Sequence, residues 1–165
     1  MTSSRLLLLI CLVVLLLPTM AWGAGCRGKM IIGETARFLV REAGLSYLAR
    51  IDTGAEITSL HAEDLKVHSA GRSSRANIGK KISFTTRNGR GDRRRLVAEI
   101  VDLALVRNTK GYEERYEVEL TLVWQRRARR LRVNLCDRGA MNNRLLIGRN
   151  FLSPDCLVDV TKKER

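Results

Sequence analysis

Apolar and polar side chains alternate with a period near two along most of this chain. The pattern is carried by RFLVRE (37–42), SYLARID (46–52), KISFTT (81–86), RLVAEIVDLALV (95–106), RYEVELTLVW (115–124) and RLRVNL (130–135). A period of two puts successive side chains on opposite faces of an extended strand, where Val, Ile, Leu, Tyr and Phe pack well. Turn-forming or basic clusters separate the runs, at Gly44, Asn88-Gly89, 108–111 and 126–130. Many short strands divided by turns predict an all-β sandwich or barrel rather than alternating strands and helices. Helical signal is confined to one short turn in SLHAEDLKV (59–67) and another in GRNFLS (148–153). The Ser-, Gly- and Arg-rich HSAGRSSRANIGKK (68–81) reads as a mobile surface loop.

The N-terminus follows another logic. Arg5 precedes twelve apolar residues, LLLLICLVVLLL, then Pro18 and the small-residue stretch MAWGAGC. Twelve residues fall short of the ~20 that span a bilayer as a helix. A basic start, short apolar centre and small-residue end describe a secretory signal, with an uncleaved anchor as the alternative. Ala21-Trp22-Gly23 and Gly23-Ala24-Gly25 both offer cleavage sites, so the signal is assigned to 1–25 and one folded domain to 26–165, a size suited to a single core. Gly25-Cys26 also resembles the end of a lipobox, which would place a lipid on Cys26 and attach the chain to a membrane. Export predicts a periplasmic or cell-envelope location.

The formal charge is +13, concentrated in RNGRGDRRR (87–95) and RRARRLR (126–132). Such clusters read as solvated strand faces or as contacts to anionic envelope material and acidic peptides; in an exported chain no nucleic-acid partner is expected. Once the leader with Cys11 is set aside, Cys136 and Cys156 are the pair that an oxidising compartment would allow to bond, though spacing does not fix their geometry. His61 and His68 read as isolated polar histidines. There is no HExxH, no GxxxxGK[ST] and no paired Cys/His spacing, so neither a metal nor a nucleotide cofactor is expected.

The strand YLARI runs directly into Asp52-Thr53-Gly54-Ala55. Asp52 would sit at a strand end, Gly54 would let the backbone turn and approach a ligand closely, and Thr53 could hydrogen-bond locally to lock the loop. Alone, Asp-Thr-Gly describes a turn as readily as an active site. Some ninety residues later comes RLLIGRNFL (144–152), an apolar run, a glycine and a helix-like end, and then the apolar strand CLVDV (156–160).

Taken together, IIGETARFLV, ARIDTGAEITSLHA, VRNTKGYEERYEVELTL, LRVNLCDRGAMNNRLLIGRNFL and CLVDV resemble the bacterial retropepsin-like aspartic proteases. These were historically labelled ATP-dependent zinc proteases, and the domain is found beside RimK-type ligases. The resemblance spans nearly all of 29–160 in order. It implies a retropepsin-like acid protease barrel with one or two short helices, an aspartic endopeptidase activity and a homodimer. It casts Asp52 as the catalytic acid/base, with Thr53, Gly54 and Ala55 supporting its loop and Gly148, Arg149 and Asn150 framing the site or the dimer. Asn108, Thr109, Lys110 and Gly111 fall at the flap.

Hydrolysis by aspartates needs two carboxylates sharing one proton about a water. Asp137-Arg138-Gly139 is a poor second half and reads as an ordinary turn, so the partner carboxylate is expected from Asp52 of a second copy about a two-fold axis. The substrate expected is a peptide or protein, an acidic one suiting the basic chain. The competing expectations are a noncatalytic binding or scaffold protein of the same fold, and a basic envelope-binding module in which Asp52 is only a turn residue.

Overall fold

The computed structural model describes residues 28–108 and 111–164. The leader and Cys26 lie outside the described residues, as do Thr109 and Lys110 at the expected flap tip.

The described residues form ten strands: β1 (Met30–Val40), β2 (Leu45–Ile51), β3 (Thr58–His61), β4 (Glu63–Val67), β5 (Lys81–Arg87), β6 (Arg93–Asn108), β7 (Gly111–Trp124), β8 (Arg127–Cys136), β9 (Leu145–Ile147) and β10 (Cys156–Lys163). They form one sheet in the order β10-β1-β2-β9-β3-β8-β7-β6-β5-β4, which curls until β1 also meets β7 and the sheet partly closes. Among the described residues, helix is limited to a 3-10 turn at Arg75–Asn77 and one helical turn, α1 (Arg149–Leu152). The fold is all-β.

The alternation explains the faces. In β1, Ala36, Phe38 and Val40 point inward while Arg37 and Leu39 are exposed; in β2, Leu45, Tyr47, Ala49 and Ile51 point inward. These residues meet Phe84, Ile100, Val118, Leu122, Leu145, Ile147 and Phe151 in one apolar core, and such burial is the main driving force for folding. Phe38 packs edge-on against Phe151 with ring centroids 4.9 Å apart, a favoured aromatic geometry. The Tyr47 hydroxyl, buried with its ring, shares a 2.9 Å hydrogen bond with the Thr86 hydroxyl. Gly44 closes the β1–β2 hairpin at φ +63°, a conformation that favours glycine.

Two local expectations are corrected. The stretch 59–67 is not helical: it forms most of β3 and all of β4. In β3, which lies between β8 and β9, Thr58, Ser59, Leu60 and His61 are all buried, so burial does not alternate along it. The 68–81 connection is tied down rather than loose. Asn77 is buried, accepts from the Gly71 N–H at 2.7 Å and donates to the Tyr116 hydroxyl at 2.7 Å, while the Gly79 N–H reaches the Ile100 carbonyl at 2.8 Å.

The arginine clusters lie on strand faces and are largely engaged within the chain. Arg127 and Arg129 both reach Asp155, Arg130 reaches Glu119, and Arg132 reaches Asp102. Arg129 also lies 5.6 Å from the Phe151 ring centroid. Arg93 pairs with Glu63, and Arg95 donates to the Ser83 hydroxyl. Cys136 and Cys156 are both free thiols.

Candidate active site

β2 and β9 run parallel, with Ile51 opposite Ile147, so their C-terminal ends lie side by side. Asp52 is the first residue past β2, and its N–H donates to the Ile147 carbonyl at 3.0 Å. Its Oδ1 accepts the N–H groups of Gly54 at 2.9 Å and Ala55 at 3.2 Å. This turn fixes the carboxylate by one oxygen, and no hydrogen bond within the described residues uses Oδ2.

A second segment braces this loop. From the residues following β9, the Arg149 N–H donates to the Ala55 carbonyl at 2.8 Å, and the Asn150 N–H to the Glu56 carbonyl at 3.0 Å. The Arg149 guanidinium donates to the carbonyls of Thr53 and Gly54 at 3.0 and 3.1 Å. Asn150 Oδ1 accepts from both the N–H and the hydroxyl of Thr58, at 3.1 and 2.8 Å, and its amide donates to the Arg132 carbonyl at 2.7 Å. Gly148 lies so close that a Cβ there would stand 2.8 Å from the Ile57 carbonyl carbon. Gly148, Arg149 and Asn150 therefore hold the Asp-Thr-Gly loop directly.

The locking hydroxyl belongs to Thr58, not Thr53. Thr58 is fully buried, donates to Asn150 and accepts from the Gly148 N–H at 3.2 Å. Thr53 is exposed and contributes its carbonyl. Both belong to the sequence's hydroxyl-rich run after Asp52; only the contact with Asn150, 92 positions away, distinguishes them.

On the face of the sheet opposite the core, a cavity of about 420 Å³ lies beside the loop. Ala55, Glu56 and Ile57 line it on one side, 104–107 of β6 on another, and Ser59, Arg115, Glu117, Asn134, Arg138 and Leu146 complete it. The β6–β7 hairpin thus forms one wall, with Asn108 paired to Gly111 at its end. Burial pushes the Glu117 carboxyl above the ordinary glutamate range; Arg132 opposes the shift, and Asp102 and Glu56 add to it. Burial lowers the Arg138 pKa, while the thiol of Cys136 and the charge of Asp52 act to raise it. The Arg138 side chain is held by its own turn, Nε donating to the Asn143 carbonyl at 3.1 Å. Asp137 itself caps that turn, its Oδ1 accepting the Gly139 N–H at 2.6 Å.

His61 is not isolated. Its ring is fully buried, Nδ1 accepts the Arg138 N–H at 3.0 Å, and Nε2 lies 3.3 Å from Arg87 Nε. Burial lowers its pKa; Glu63 and Asp137 pull the other way, and Arg87 and Arg144 reinforce the lowering. Among the described residues, no group of three or more His, Cys, Asp or Glu side chains is arranged to hold a metal ion.

A curled all-β barrel in which a strand-end Asp-Thr-Gly loop is braced by a parallel strand, a glycine and a helical turn defines a retropepsin-like protein. A family model described as the retropepsin-like aspartic endopeptidase RimB matches residues 31–165, and the chain belongs to this RimB-like family. It is 26% identical over 136 residues to a probable alpha-L-glutamate ligase of Desulfotalea psychrophila, a match that takes in 79% of this chain but only 28% of that protein's length. The fold is also that of a Legionella pneumophila protein of unknown function, at TM-score 0.65 and 24% identity over 81% of this chain and 95% of the other.

Proposed function

We propose that this protein is an exported, homodimeric aspartic endopeptidase in which Asp52 and its symmetry mate act on one water. The observation that carries the reading is the fixing of Asp52 by a single oxygen, Oδ1, at the end of β2, which leaves Oδ2 for chemistry. Two such carboxylates hold one proton between them: one takes a proton from the attacking water, and the other gives a proton to the substrate carbonyl. The tetrahedral intermediate then collapses as the leaving amine is protonated. Thr53, Gly54 and Ala55 hold the loop, and Gly148, Arg149 and Asn150 hold Thr53 to Thr58 in place.

The open edge of the sheet suits a second copy. β10 is an outermost strand, with Leu157 and Val160 exposed. Beside it a groove of about 470 Å³ is bordered by Thr53, Arg149, Leu152, Pro154, Leu157 and Val158. A partner seated there would meet the Asp-Thr-Gly loop directly, and isologous pairing is the commonest closure for identical chains.

Peptide would enter the cavity beside the β6–β7 hairpin, with the flap expected at 108–111 closing over it to exclude water. Arg107, Arg115 and Arg138 outnumber Glu56 and Glu117 in its lining, which favours acidic chains, as does a relative named for glutamate chemistry. The N-terminal leader supports delivery to the periplasm or envelope, with a lipid on Cys26 as one means of retention there.

The reading is tested by incubating purified protein with a peptide library at mildly acidic pH. Cleavage should be blocked by a statine-type inhibitor and lost in Asp52→Asn. Activity that survives Asp52→Asn, or that disappears only with a chelator, would overturn the aspartic mechanism.

A further inference from the structure

The floor of the cleft carries a polar row that strand register assembles. Glu117 on β7 lies opposite Asn134 on β8, and Asn134 lies opposite Ser59 on β3. Their neighbours Val118, Val133 and Leu60 are buried in the core, so the polar members share the opposite face, the one that lines the cavity. Glu117 is 3% exposed, and Asn134 and Ser59 are each 5% exposed.

Polar atoms at this depth are normally paired. Three here are not: Glu117 Oε2, Asn134 Oδ1 and Arg115 Nε. Glu117 Oε2 has only an electrostatic contact with Arg132 Nη1 at 3.5 Å, while that same nitrogen makes its shorter, 2.7 Å bond to Asp102. All three residues line one cavity. The buried Thr58 of the neighbouring loop has both its N–H and its hydroxyl paired, so the unmet atoms in the cleft point to a ligand that completes them.

We infer that Glu117, Asn134 and Arg115 form a specificity subsite that reads a primary carboxamide, the side chain of glutamine or asparagine, on the bound peptide. The inference rests on the cleft being the peptide site and adds which side chain its floor selects. Two acceptors and one donor await partners, and a carboxamide offers two N–H donors and one carbonyl acceptor. A carboxylate would pair with Arg115 but would face Glu117 and Asn134 with no proton to give. A lysine or arginine would satisfy Glu117 but leave Arg115 Nε unmet and set a third cation beside Arg115 and Arg138. An apolar side chain would bury all three atoms unpaired, and a site built to hydrogen-bond its substrate discriminates strongly against analogues that lack the groups. The arginines of the lining draw an acidic chain; the floor decides one position within it.

The test separates binding from hydrolysis. Asp52→Asn protein is titrated with fluorescein-labelled hexapeptides in which each position in turn carries Gln, Glu, Lys or Leu. At one position Gln should bind about tenfold or more tighter than the other three, the value of roughly one buried hydrogen bond. In the same background, Glu117→Gln should shift that position toward Glu, because the introduced amide donates to a carboxylate. Thermal midpoints establish that each variant is folded; if Glu117→Gln is not, Asn134→Ala should abolish the Gln preference instead. No binding, equal binding at every position, or a preference untouched by these substitutions would overturn the subsite. Library cleavage by the unsubstituted protein, run in parallel, judges the peptidase reading by itself. Cleavage without a carboxamide preference removes the subsite alone, and selective binding without cleavage removes the peptidase alone.

Discussion

Thr58 and Asn150 lie 92 positions apart, yet a single oxygen of Asn150 accepts both the N–H and the hydroxyl of Thr58. The pair ties the end of the Asp-Thr-Gly loop to the helical turn that follows β9. Asn150→Ala removes both bonds and the one to the Arg132 carbonyl, leaving the fully buried Thr58 with an unpaired N–H. Urea denaturation should show a loss of about 3 kcal/mol. A change below about 1 kcal/mol would mean that the brace carries little of the loop's order.

Gly148→Ala tests the same contact sterically. The added Cβ would meet backbone atoms of Ile57 at 2.8 and 3.0 Å and the Ala55 carbonyl at 3.0 Å. Backbone cannot move aside as a flexible side chain can, so a destabilisation of about 2 kcal/mol is expected. The displaced loop should also lower any peptidase activity by more than the folded fraction falls.

Arg149→Lys separates positioning from stability. The guanidinium spans the carbonyls of Thr53 and Gly54 from an exposed position, and an ammonium lacks that planar fork. Denaturation should change by less than about 1 kcal/mol, while the kcat of any peptidase activity should fall on the order of 100-fold through misplacement of Asp52. Unaltered kcat would remove Arg149 from the active-site frame.

Leu157→Asp combined with Val160→Asp places charge at the two exposed large apolar side chains of β10. If the second Asp52 arrives across this edge, sedimentation of the wild-type protein over a dilution series should show a dimer, and the double variant should sediment as a monomer without activity. A variant that is monomeric and fully active would place the second carboxylate elsewhere.

His61 gives stability a pH dependence whose sign follows from its surroundings. Its Nδ1 accepts a backbone N–H, so the neutral ring is the form that fits, and its folded pKa lies below the usual value. The unfolded chain therefore binds more protons as pH falls through about 6.5, and stability is lost in that direction. Glu63 and Asp137 soften the effect, and Arg87 and Arg144 sharpen it. Glu117 acts oppositely: its folded pKa is raised, so its contribution improves as pH falls toward the unfolded value of about 4.5. Urea midpoints measured from pH 7.5 to 5 should fall for the wild type, fall less for His61→Gln and fall more steeply for Glu117→Gln. Parallel curves for all three would contradict the assignment.

Legibility varied with how local each cause was. Phe38 and Val40 against Arg37 and Leu39, or Tyr47 and Ala49 against Ser46 and Arg50, announce their faces through the pleat of a single strand. The 59–67 stretch misled because all four residues of β3 are buried while only Leu60 among them is apolar, so the sequence carries none of the alternation that marks a strand. His61 and His68 looked alike in sequence, yet one is buried among Arg87, Arg138 and two carboxylates and the other is exposed. The arginine clusters looked like open surface because their acidic partners, Asp102, Glu119 and Asp155, come from other strands or from the chain's far end.

The sequence by itself determined the strand-rich class, the inward faces of most strands and the Asp-Thr-Gly turn, because each depends on residues a few positions apart. Tertiary structure alone decided that Thr58 rather than Thr53 locks the loop, that the backbone of Arg138 meets the buried His61, and that Glu117, Asn134 and Ser59 align across three strands. Those outcomes depend on which strands become neighbours and in what register. Register follows from closing the whole sheet around its core, and no single strand encodes it.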